Sequence, residues 1–144
     1  MKILSQASNY GIRALTYIVS QKRDGYTSIG QISEELDISF HFLTKTFQLL
    51  SRHGLIMSYR GPGGGISLNR PPEEIFLIEV IEILEGKDFF DTCLLGLPGC
   101  GEAEPCPIHD FWKVHKEKMK REFSNTTLAD LGTRVNIGKM RIRE

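Results

Sequence analysis

The chain has 144 residues, of which 40% are apolar, enough for the core of one compact domain or of a small domain with an appended arm. Its formal net charge is zero, so net charge alone does not predict an anionic partner. No apolar run has the length of a membrane span, and the first four residues are too few for a secretion signal, so we expect a cytoplasmic protein with no membrane partner.

The charge is unevenly distributed along the chain. Residues 1–70 contain eight Lys or Arg and four Asp or Glu, a balance of +4, whereas residues 71–144 contain ten and fourteen, a balance of −4. The first half is therefore suited to a polyanionic partner and the second half is not.

Three helices are predicted within the first half. Helical periodicity begins near Ser8, and a second helix starts at Ser28, whose hydroxyl can cap its first turn. Ser39 can cap a third helix that runs to about His53 and is closed by Gly54. Two short helices joined by a tight turn predict a helix-turn-helix.

The third predicted helix has an apolar stripe and an outer face that is polar and positive. The stripe consists of Leu43, Phe47 and Leu50, and the outer face has no carboxylate. Such a face can donate hydrogen bonds to phosphates and to base edges in a major groove, although an ordinary solvated helix surface is an equally good interpretation of the helix alone. The outer residues are His41, Thr44, Lys45, Gln48 and Arg52.

A hairpin follows this helix directly. Residues 55–59 and 66–68 have strand patterns, and the turn between them reads RGPGGG, with Arg60 first and with Gly61 and Gly63 inside it. A hairpin placed immediately after a helix-turn-helix is the element order of a winged helix. Arg60 in the wing can reach the DNA backbone or a narrow minor groove.

The second half is predicted to be helical on both sides of a loop. A fourth helix starts at Pro71-Pro72 and continues to about Leu84, and a fifth runs from about Pro107 to Phe123. The fifth helix has apolar residues on adjoining faces, one suited to the fourth helix and the other to a second subunit. Thr127 caps a last short helix over residues 128–134.

All three cysteines lie in the loop between the fourth and fifth helices, which is rich in glycine and proline. The spacing is Cys-x6-Cys-x5-Cys-x2-His. Thiolate and imidazole are the ligands that zinc, copper and iron–sulfur clusters prefer, and three thiols with one imidazole can close a four-ligand site. The candidate ligands are Cys93, Cys100, Cys106 and His109.

Other interpretations of the cysteines remain open at this point. A zinc site would use the same Cys3His set, and a metal-free sensor of thiol oxidation would form a reversible disulfide. Burial of all three as core hydrophobes is disfavoured by their glycine and proline neighbours. An enzyme is disfavoured because no Cys-x-x-Cys pair, Ser-His-Asp set or carboxylate pair is present.

Together, these segments resemble the Rrf-type winged-helix transcriptional regulators typified by IscR and NsrR. The likeness covers nearly all of residues 1–135. It is carried by the start LSQASNYGIRAL, the helix-turn-helix ISEELDISFHFLTKTFQLL, the wing SYRGPGGGISL and the segments CPIHDFW and NTTLADL.

The resemblance implies a mainly α fold with a small β-hairpin wing. Residues 1–70 would form the winged helix-turn-helix DNA-binding domain. Residues 71–144 would form a helical dimerisation region with a long C-terminal helix and with the cysteine loop over residues 86–107. The protein would then be a homodimer that binds a palindromic operator in double-stranded DNA, with a recognition helix from Ser39 to Arg52 and with Arg60 in the wing.

The resemblance further implies a repressor controlled by an iron–sulfur cluster that senses redox state, nitric oxide or iron–sulfur status. Cys93, Cys100 and Cys106 would hold the cluster, with [2Fe–2S] favoured and [4Fe–4S] as the alternative. The first spacing has six residues where the family usually has five. His109 stands where the IscR branch carries its fourth ligand. In the NsrR branch, that ligand comes from near the amino terminus of the partner, where this chain has Ser8 and Asn9, neither of them a good iron ligand.

Overall fold

A computed structural model describes residues 1–138 and 140–143, except for the side chain of Ile137. Its α-helices and strands, numbered in chain order, are α1 (Gln6–Ser20), α2 (Ile29–Leu36), α3 (Phe40–Arg52), β1 (Ile56–Tyr59), β2 (Gly65–Leu68), α4 (Leu77–Glu85), α5 (His109–Asn125) and α6 (Leu128–Ile137). The fold is mainly helical with a two-stranded hairpin, as the sequence predicts.

The helix-turn-helix is built on side-chain caps. Ser28 Oγ accepts a hydrogen bond from the Gln31 N–H at 3.1 Å, and Ser39 Oγ accepts one from the Phe42 N–H at 3.3 Å. Each cap satisfies one of the free N–H groups at the start of its helix. The turn between the two helices passes through Asp37, whose φ of 52° is left-handed, and this reversal directs α3 away from α2.

The core is formed where α1, α3 and the hairpin meet. Leu43, Phe47 and Leu50 of α3 are buried together with Leu15 of α1 and Ile66 of β2. Burial of a side chain of this size contributes roughly 1.5–3 kcal/mol. The inner stripe that the sequence predicts for the third helix therefore holds this helix against the rest of the domain.

The second strand of the hairpin is hydrogen-bonded on both of its edges. β1 pairs antiparallel with β2, with Ile56 opposite Leu68 and Tyr59 opposite Gly65. On the other edge of β2, Thr27 and Ile66 exchange two backbone hydrogen bonds of 2.9 and 2.8 Å. The wing is thus tied directly to the loop that precedes α2.

The start of the fourth helix differs from the sequence prediction. Residues Pro72–Glu74 form a short 3-10 turn, and α4 begins only at Leu77. The intervening backbone pairs instead with the segment before α6, because Leu77 N–H donates to Thr126 O at 2.8 Å and Leu128 N–H donates to Ile75 O at 2.9 Å. A long-range contact therefore takes these residues out of the helix.

The two C-terminal helices pack on different parts of the molecule. α5, which begins at His109 rather than Pro107, contacts α4, whereas α6 lies along α1. Thr127 caps α6 as predicted, and its hydroxyl accepts from the Asp130 N–H while Asp130 accepts from the Thr127 N–H. α6 extends to Ile137, three residues beyond the predicted end.

Among the helices that the structure describes, we find none that is both long enough and apolar enough to cross a membrane.

Candidate nucleic-acid interface and metal centre

The outer face of α3 is open to solvent. Its predicted contact residues His41, Lys45, Gln48 and Arg52 are exposed, and Thr44 is half-buried. α3 contains no carboxylate, and Lys45 and Arg52 give this face its positive charge. It has the charge and the hydrogen-bond donors that a DNA backbone attracts.

Two hydroxyls on this face already have backbone partners. Ser39 Oγ caps the helix, and Thr44 Oγ1 donates to the Phe40 carbonyl at 2.8 Å. A hydroxyl has one donor and two acceptor positions, so Thr44 retains an acceptor and its methyl group for a ligand but not its donor. The simple donor role predicted for Thr44 from the sequence is therefore restricted.

The wing brings Arg60 beside α3. Gly61, with φ of 127°, and Gly63, with φ of 74°, supply backbone angles that a side chain disfavours, and the Gly64 N–H closes the turn on Gly61 O at 2.9 Å. A groove separates α3 from the wing. It is lined, among others, by Thr44, Gln48, Arg52, Tyr59 and Arg60.

One exposed aromatic residue of α3 was missed in the sequence. Phe40 is the first residue of α3 and is 55% exposed. It lies three residues before Leu43 and seven before Phe47, so at 3.6 residues per turn it continues their stripe onto the exposed first turn of the helix. This spacing was the available signal.

The four predicted metal ligands fall into two pairs. Cys100 Sγ is 3.6 Å from His109 Nδ1, and the Cys106 side chain is near enough to Cys93 to lower the pKa of the Cys93 thiol. Cys93 and His109 are buried, Cys100 and Cys106 are half-buried, and all three cysteines are free thiols. The structure therefore groups the ligands by pairs that are not neighbours in sequence.

The Cys100–His109 pair has the spacing of two ligands on one metal ion. Zinc–ligand bonds of roughly 2.3 Å to sulfur and 2.0–2.1 Å to nitrogen, at a tetrahedral angle, place the two donor atoms about 3.5–3.6 Å apart. The donor types and this spacing fit a metal centre. Within residues 1–138 and 140–143, however, no three His, Cys, Asp or Glu side chains converge around a single point as a mononuclear site requires.

Cys93 lies in a setting that favours its thiolate. Hydrogen bonds from the Leu97 and Leu95 backbone hold the pKa of Cys93 below its ordinary value, although burial acts in the opposite direction. The Cys106 thiol and the Gly96 backbone add to the lowering. Thiolate is the form of cysteine that binds metals and attacks oxidants.

His109 is held in place but incompletely bonded. Its ring is buried, and Nε2 has no hydrogen-bond partner among the described residues; the carboxylate of Glu102 lies 3.5 Å away, beyond a good hydrogen bond. Glu102 in turn pairs with Lys113. Lys113 and then His109 hold the pKa of Glu102 below its ordinary value. A buried nitrogen without a hydrogen-bond partner costs free energy.

Aromatic residues fasten the cysteine loop to α5. Trp112 Nε1 donates to Thr92 O at 2.7 Å, next to Cys93. Phe90 packs edge to face on Phe89, with 4.9 Å between ring centroids, and lies 6.1 Å from Phe123 of α5. These contacts hold the start of the loop against α5.

Ser8, which with Asn9 is where the resemblance to the NsrR branch would put the partner's ligand, is fully buried. Its hydroxyl donates to Glu85 Oε1 at 2.6 Å.

Residues 4–134 match the model of the Rrf2 family, described as iron-dependent transcriptional regulators. The chain belongs to this family. Rrf2 members are regulators of transcription rather than enzymes, and the helix-turn-helix with its hairpin is the DNA-binding winged helix of the family.

Individual relatives of this Rrf2 chain include a transcriptional regulator named IscR and a cysteine regulator. The HTH-type transcriptional regulator IscR of Serratia proteamaculans is 30% identical over 128 residues, which are 89% of this chain and 77% of IscR. CymR, the global cysteine regulator of B. subtilis, superposes with a TM-score of 0.77 at 26% identity, over 92% of this chain and 98% of CymR. The oxidized form of Staphylococcus aureus CymR superposes with a TM-score of 0.71 at 30% identity, over 92% of this chain and 96% of that CymR chain.

Proposed function

We propose that this Rrf2 regulator is a cytoplasmic homodimeric repressor whose affinity for a palindromic operator is controlled by an iron–sulfur cluster. The proposed ligands are Cys93, Cys100, Cys106 and His109. The observation that carries the proposal is their arrangement in two pairs, with Cys100 Sγ 3.6 Å from His109 Nδ1. The family description and the identity with IscR support it.

The pairwise arrangement favours a [2Fe–2S] cluster. In such a cluster each of the two irons takes two protein ligands, as when two histidines replace two cysteines on one iron of a Rieske centre. Cys100 with His109 can serve one iron, and Cys93 with Cys106 the other. The lowered pKa of Cys93 is consistent with a site built around a bound metal, because the thiolate is the form that binds one.

The DNA-binding half would act through its positive surface. We propose that Lys45, Arg52 and Arg60 neutralise phosphates and supply most of the affinity, which then falls steeply with salt. In a homodimer the two copies of α3 would enter half-sites about 34 Å apart. A two-fold symmetric protein would require a palindromic operator for this reason.

Packing between helices provides a route from the cysteine loop to the DNA. The loop leaves α4 and enters α5, and α4 contacts α3 as well as α5. Ligand binding by the cysteines would order this loop, and the order would be transmitted through α4 to the spacing of the two recognition helices. Loss of the ligand would release that constraint, which is a coupling free energy between two sites.

A second candidate is metal-free sensing of thiol oxidation by the same cysteines. The specific observation in its favour is the proximity of Cys106 to Cys93, thirteen residues apart in the loop, which lowers the pKa of the Cys93 thiol. When the two thiols form a disulfide, two electrons and two protons pass to an oxidant such as a peroxide. The likeness to CymR, solved in an oxidized form, supports this candidate.

The test is anaerobic purification of the full chain followed by visible absorption and analysis of iron, sulfide and zinc. We expect iron and sulfide in the native protein and an altered spectrum in His109→Ala. Cys100→Ser should remove the colour while the circular dichroism of the helices stays unchanged. His115→Ala is the matched control, because His115 is an exposed histidine of the same helix, bonded to Phe111 O.

Other results would point elsewhere. Zinc without sulfide would replace the cluster by a zinc site of the same residues. A protein without metal, whose Cys93 and Cys106 form a disulfide on mild oxidation, would establish thiol sensing instead. An unchanged spectrum in His109→Ala would remove His109 from the ligand set.

A further inference from the structure

The two ring nitrogens of His109 face different groups of the cysteine loop. Nδ1 lies 3.6 Å from Cys100 Sγ, and Nε2 lies 3.5 Å from Oε1 of Glu102. Cys100 and Glu102 are two residues apart in the chain, so this short segment places one group beside each nitrogen of the imidazole ring. The proposed ligand set gives a role to Nδ1, whereas the contact at Nε2 has none.

Nε2 needs a hydrogen-bond acceptor if Nδ1 is to bind a metal. A neutral imidazole carries its proton on one nitrogen, and a metal binds the other. With iron at Nδ1, the proton of His109 would be on Nε2. The side chain of His109 is only 6% exposed, and Nε2 has no hydrogen-bond partner among the described residues. An unpaired donor in this place costs free energy, and the carboxylate of Glu102 is the acceptor beside it.

Lys113 holds the Glu102 carboxylate at α5. Its Nζ donates to the same Oε1 atom that faces His109, and a carboxylate oxygen can accept two hydrogen bonds. Lys113 follows His109 by four residues, so the two side chains lie on one side of α5. The Glu102 side chain is 68% exposed, so core packing does not oppose the movement of about 0.5 Å that would give an ordinary N–H···O distance.

A surface ion pair between Glu102 and Lys113 does not by itself account for this arrangement. Such a pair contributes little, because both charged groups remain in water. Here the carboxylate also lies beside a nitrogen that is removed from solvent and belongs to a proposed ligand. A histidine that binds a metal commonly donates its other N–H to a carboxylate, which fixes the ring and makes it a stronger ligand.

We propose that Glu102 is a positioning residue for His109, whose Nε2–H it accepts so that the lone pair of Nδ1 is directed to iron beside Cys100. The inference rests on the proposed cluster site and deepens it by specifying the ligating nitrogen and a residue outside the ligand set. Because the carboxylate makes the imidazole a stronger electron donor, it should stabilise the oxidised cluster and lower its reduction potential.

Two measurements on the full chain test this role. The first uses anaerobically purified protein that carries the cluster, with histidine labelled by 15N at Nδ1 or at Nε2 alone. Electron–nuclear double resonance of the reduced state should show strong coupling from the Nδ1 label only. The second uses the metal-free, reduced protein, whose 1H–15N spectrum should show an Nε2–H proton of His109 that exchanges slowly with water.

Variants separate positioning from a simple loss of charge. Glu102→Ala should keep iron and sulfide, raise the reduction potential and lose the Nε2–H signal to exchange. Glu102→Gln, whose amide oxygen still accepts, should keep the signal and raise the potential less. Lys113→Met, which releases the carboxylate, should weaken the signal.

Glu104→Ala is the matched control, because it removes the same charge from the same loop. Glu104 is exposed, and its side chain makes no hydrogen bond within the described part of the chain. This variant should keep the Nε2–H signal and a potential close to that of wild type. Because Glu102 is also exposed, the thermal unfolding of all these metal-free variants should match that of wild type.

The possible failures differ from one another. Strong coupling from the Nε2 label in wild type, or equal potentials and Nε2–H signals in wild type and Glu102→Ala, would overturn the inference and leave the cluster in place. Loss of the cluster in Glu102→Ala, as complete as in Cys100→Ser, would make Glu102 a ligand and overturn its positioning role. A wild type without iron and sulfide would overturn the inference together with the proposed function.

Discussion

Gly132 lies where α6 crosses α1, and the close approach of the two helices leaves no space for a side chain. A Cβ at this position would lie 2.6 Å from Val19 Cγ1 and 3.4 Å from Ser20 N. Val19 is β-branched and therefore has few alternative rotamers in a helix. The contact can be relieved only if the two helices move apart.

We expect Gly132→Ala to lower the free energy of unfolding by about 1–2 kcal/mol, because overpacking at a rigid contact outweighs the gain of about 1 kcal/mol that alanine has over glycine in a helix. Urea denaturation followed by circular dichroism measures this free energy of unfolding. Gly30→Ala in α2 is the control, since no atom beyond its neighbours lies within 4 Å of that Cβ in the described structure. It should be neutral or stabilising. Equal effects of the two substitutions would mean that α6 yields freely against α1.

At the scale of elements, the start of α1 is joined to the end of α4 through Glu85. Glu85 Oε1 accepts hydrogen bonds of 2.6 Å from the Ser5 N–H and from Ser8 Oγ. Burial raises the pKa of Glu85, but the hydrogen bonds from Ser8 and Ser5 outweigh it and hold the pKa below the ordinary value of glutamate. The joint therefore depends on the ionised carboxylate.

This joint should make stability depend on acid pH. A folded-state pKa below the unfolded value contributes stability that is fully present above about pH 4.3 and is lost as the pH falls through the lowered folded value. We expect Glu85→Gln to lower the free energy of unfolding by about 0.5–1 kcal/mol at pH 7, allowing for solvent screening. The difference from wild type should shrink as the pH falls from about 5 to 3.

Urea titrations at a series of pH values measure this difference. Glu82→Gln is the matched control, because Glu82 lies one turn earlier on α4 and its side chain makes no hydrogen bond within the described part of the chain. It should leave the acid profile of wild type intact. A difference between wild type and Glu85→Gln that stays constant across the acid range would show that the carboxylate is not ionised preferentially in the folded state.

At the scale of the whole molecule, α5 presents an apolar surface that the chain itself leaves uncovered. Phe111 and Val114 are 55% and 60% exposed, and Ile108 adds to the same surface. The helix is seventeen residues long and contacts α4 through its other side. These features favour a second copy of the chain as the partner, because a two-fold axis across α5 would bury the surface in both subunits.

We expect Phe111→Glu to weaken dimerisation at least tenfold, since the substitution removes an apolar contact and brings two like charges together near a two-fold axis. Sedimentation velocity across a concentration series gives the dissociation constant. Arg121→Glu, at another exposed position of α5, should leave the dimer intact, and both variants should keep the wild-type circular dichroism. A monomeric wild type, or a Phe111→Glu protein that remains a dimer, would contradict this surface as the subunit interface.

The sequence by itself determined the winged helix and the position of the cysteine loop. Ser28 and Ser39 cap their helices where predicted, and the stripe of Leu43 and Phe47 is buried. The glycine-rich turn reverses the direction of the chain between the two strands. These features could be predicted because caps, turns and helical periodicity act between residues a few positions apart. The candidate metal ligands could also be predicted, because their residue types and their position in one loop are visible in the sequence.

Tertiary structure alone decided how those pieces are joined. Three contacts join residues that no local sequence pattern relates. They are the pairing of Cys100 with His109, the hydrogen bond between Ser8 and Glu85, and the backbone pairing that delays the start of α4. The exposure of Phe40 likewise depends on how far along α3 the core extends. Such contacts are set by the packing of whole elements, whereas sequence patterns report only the conformation within each element.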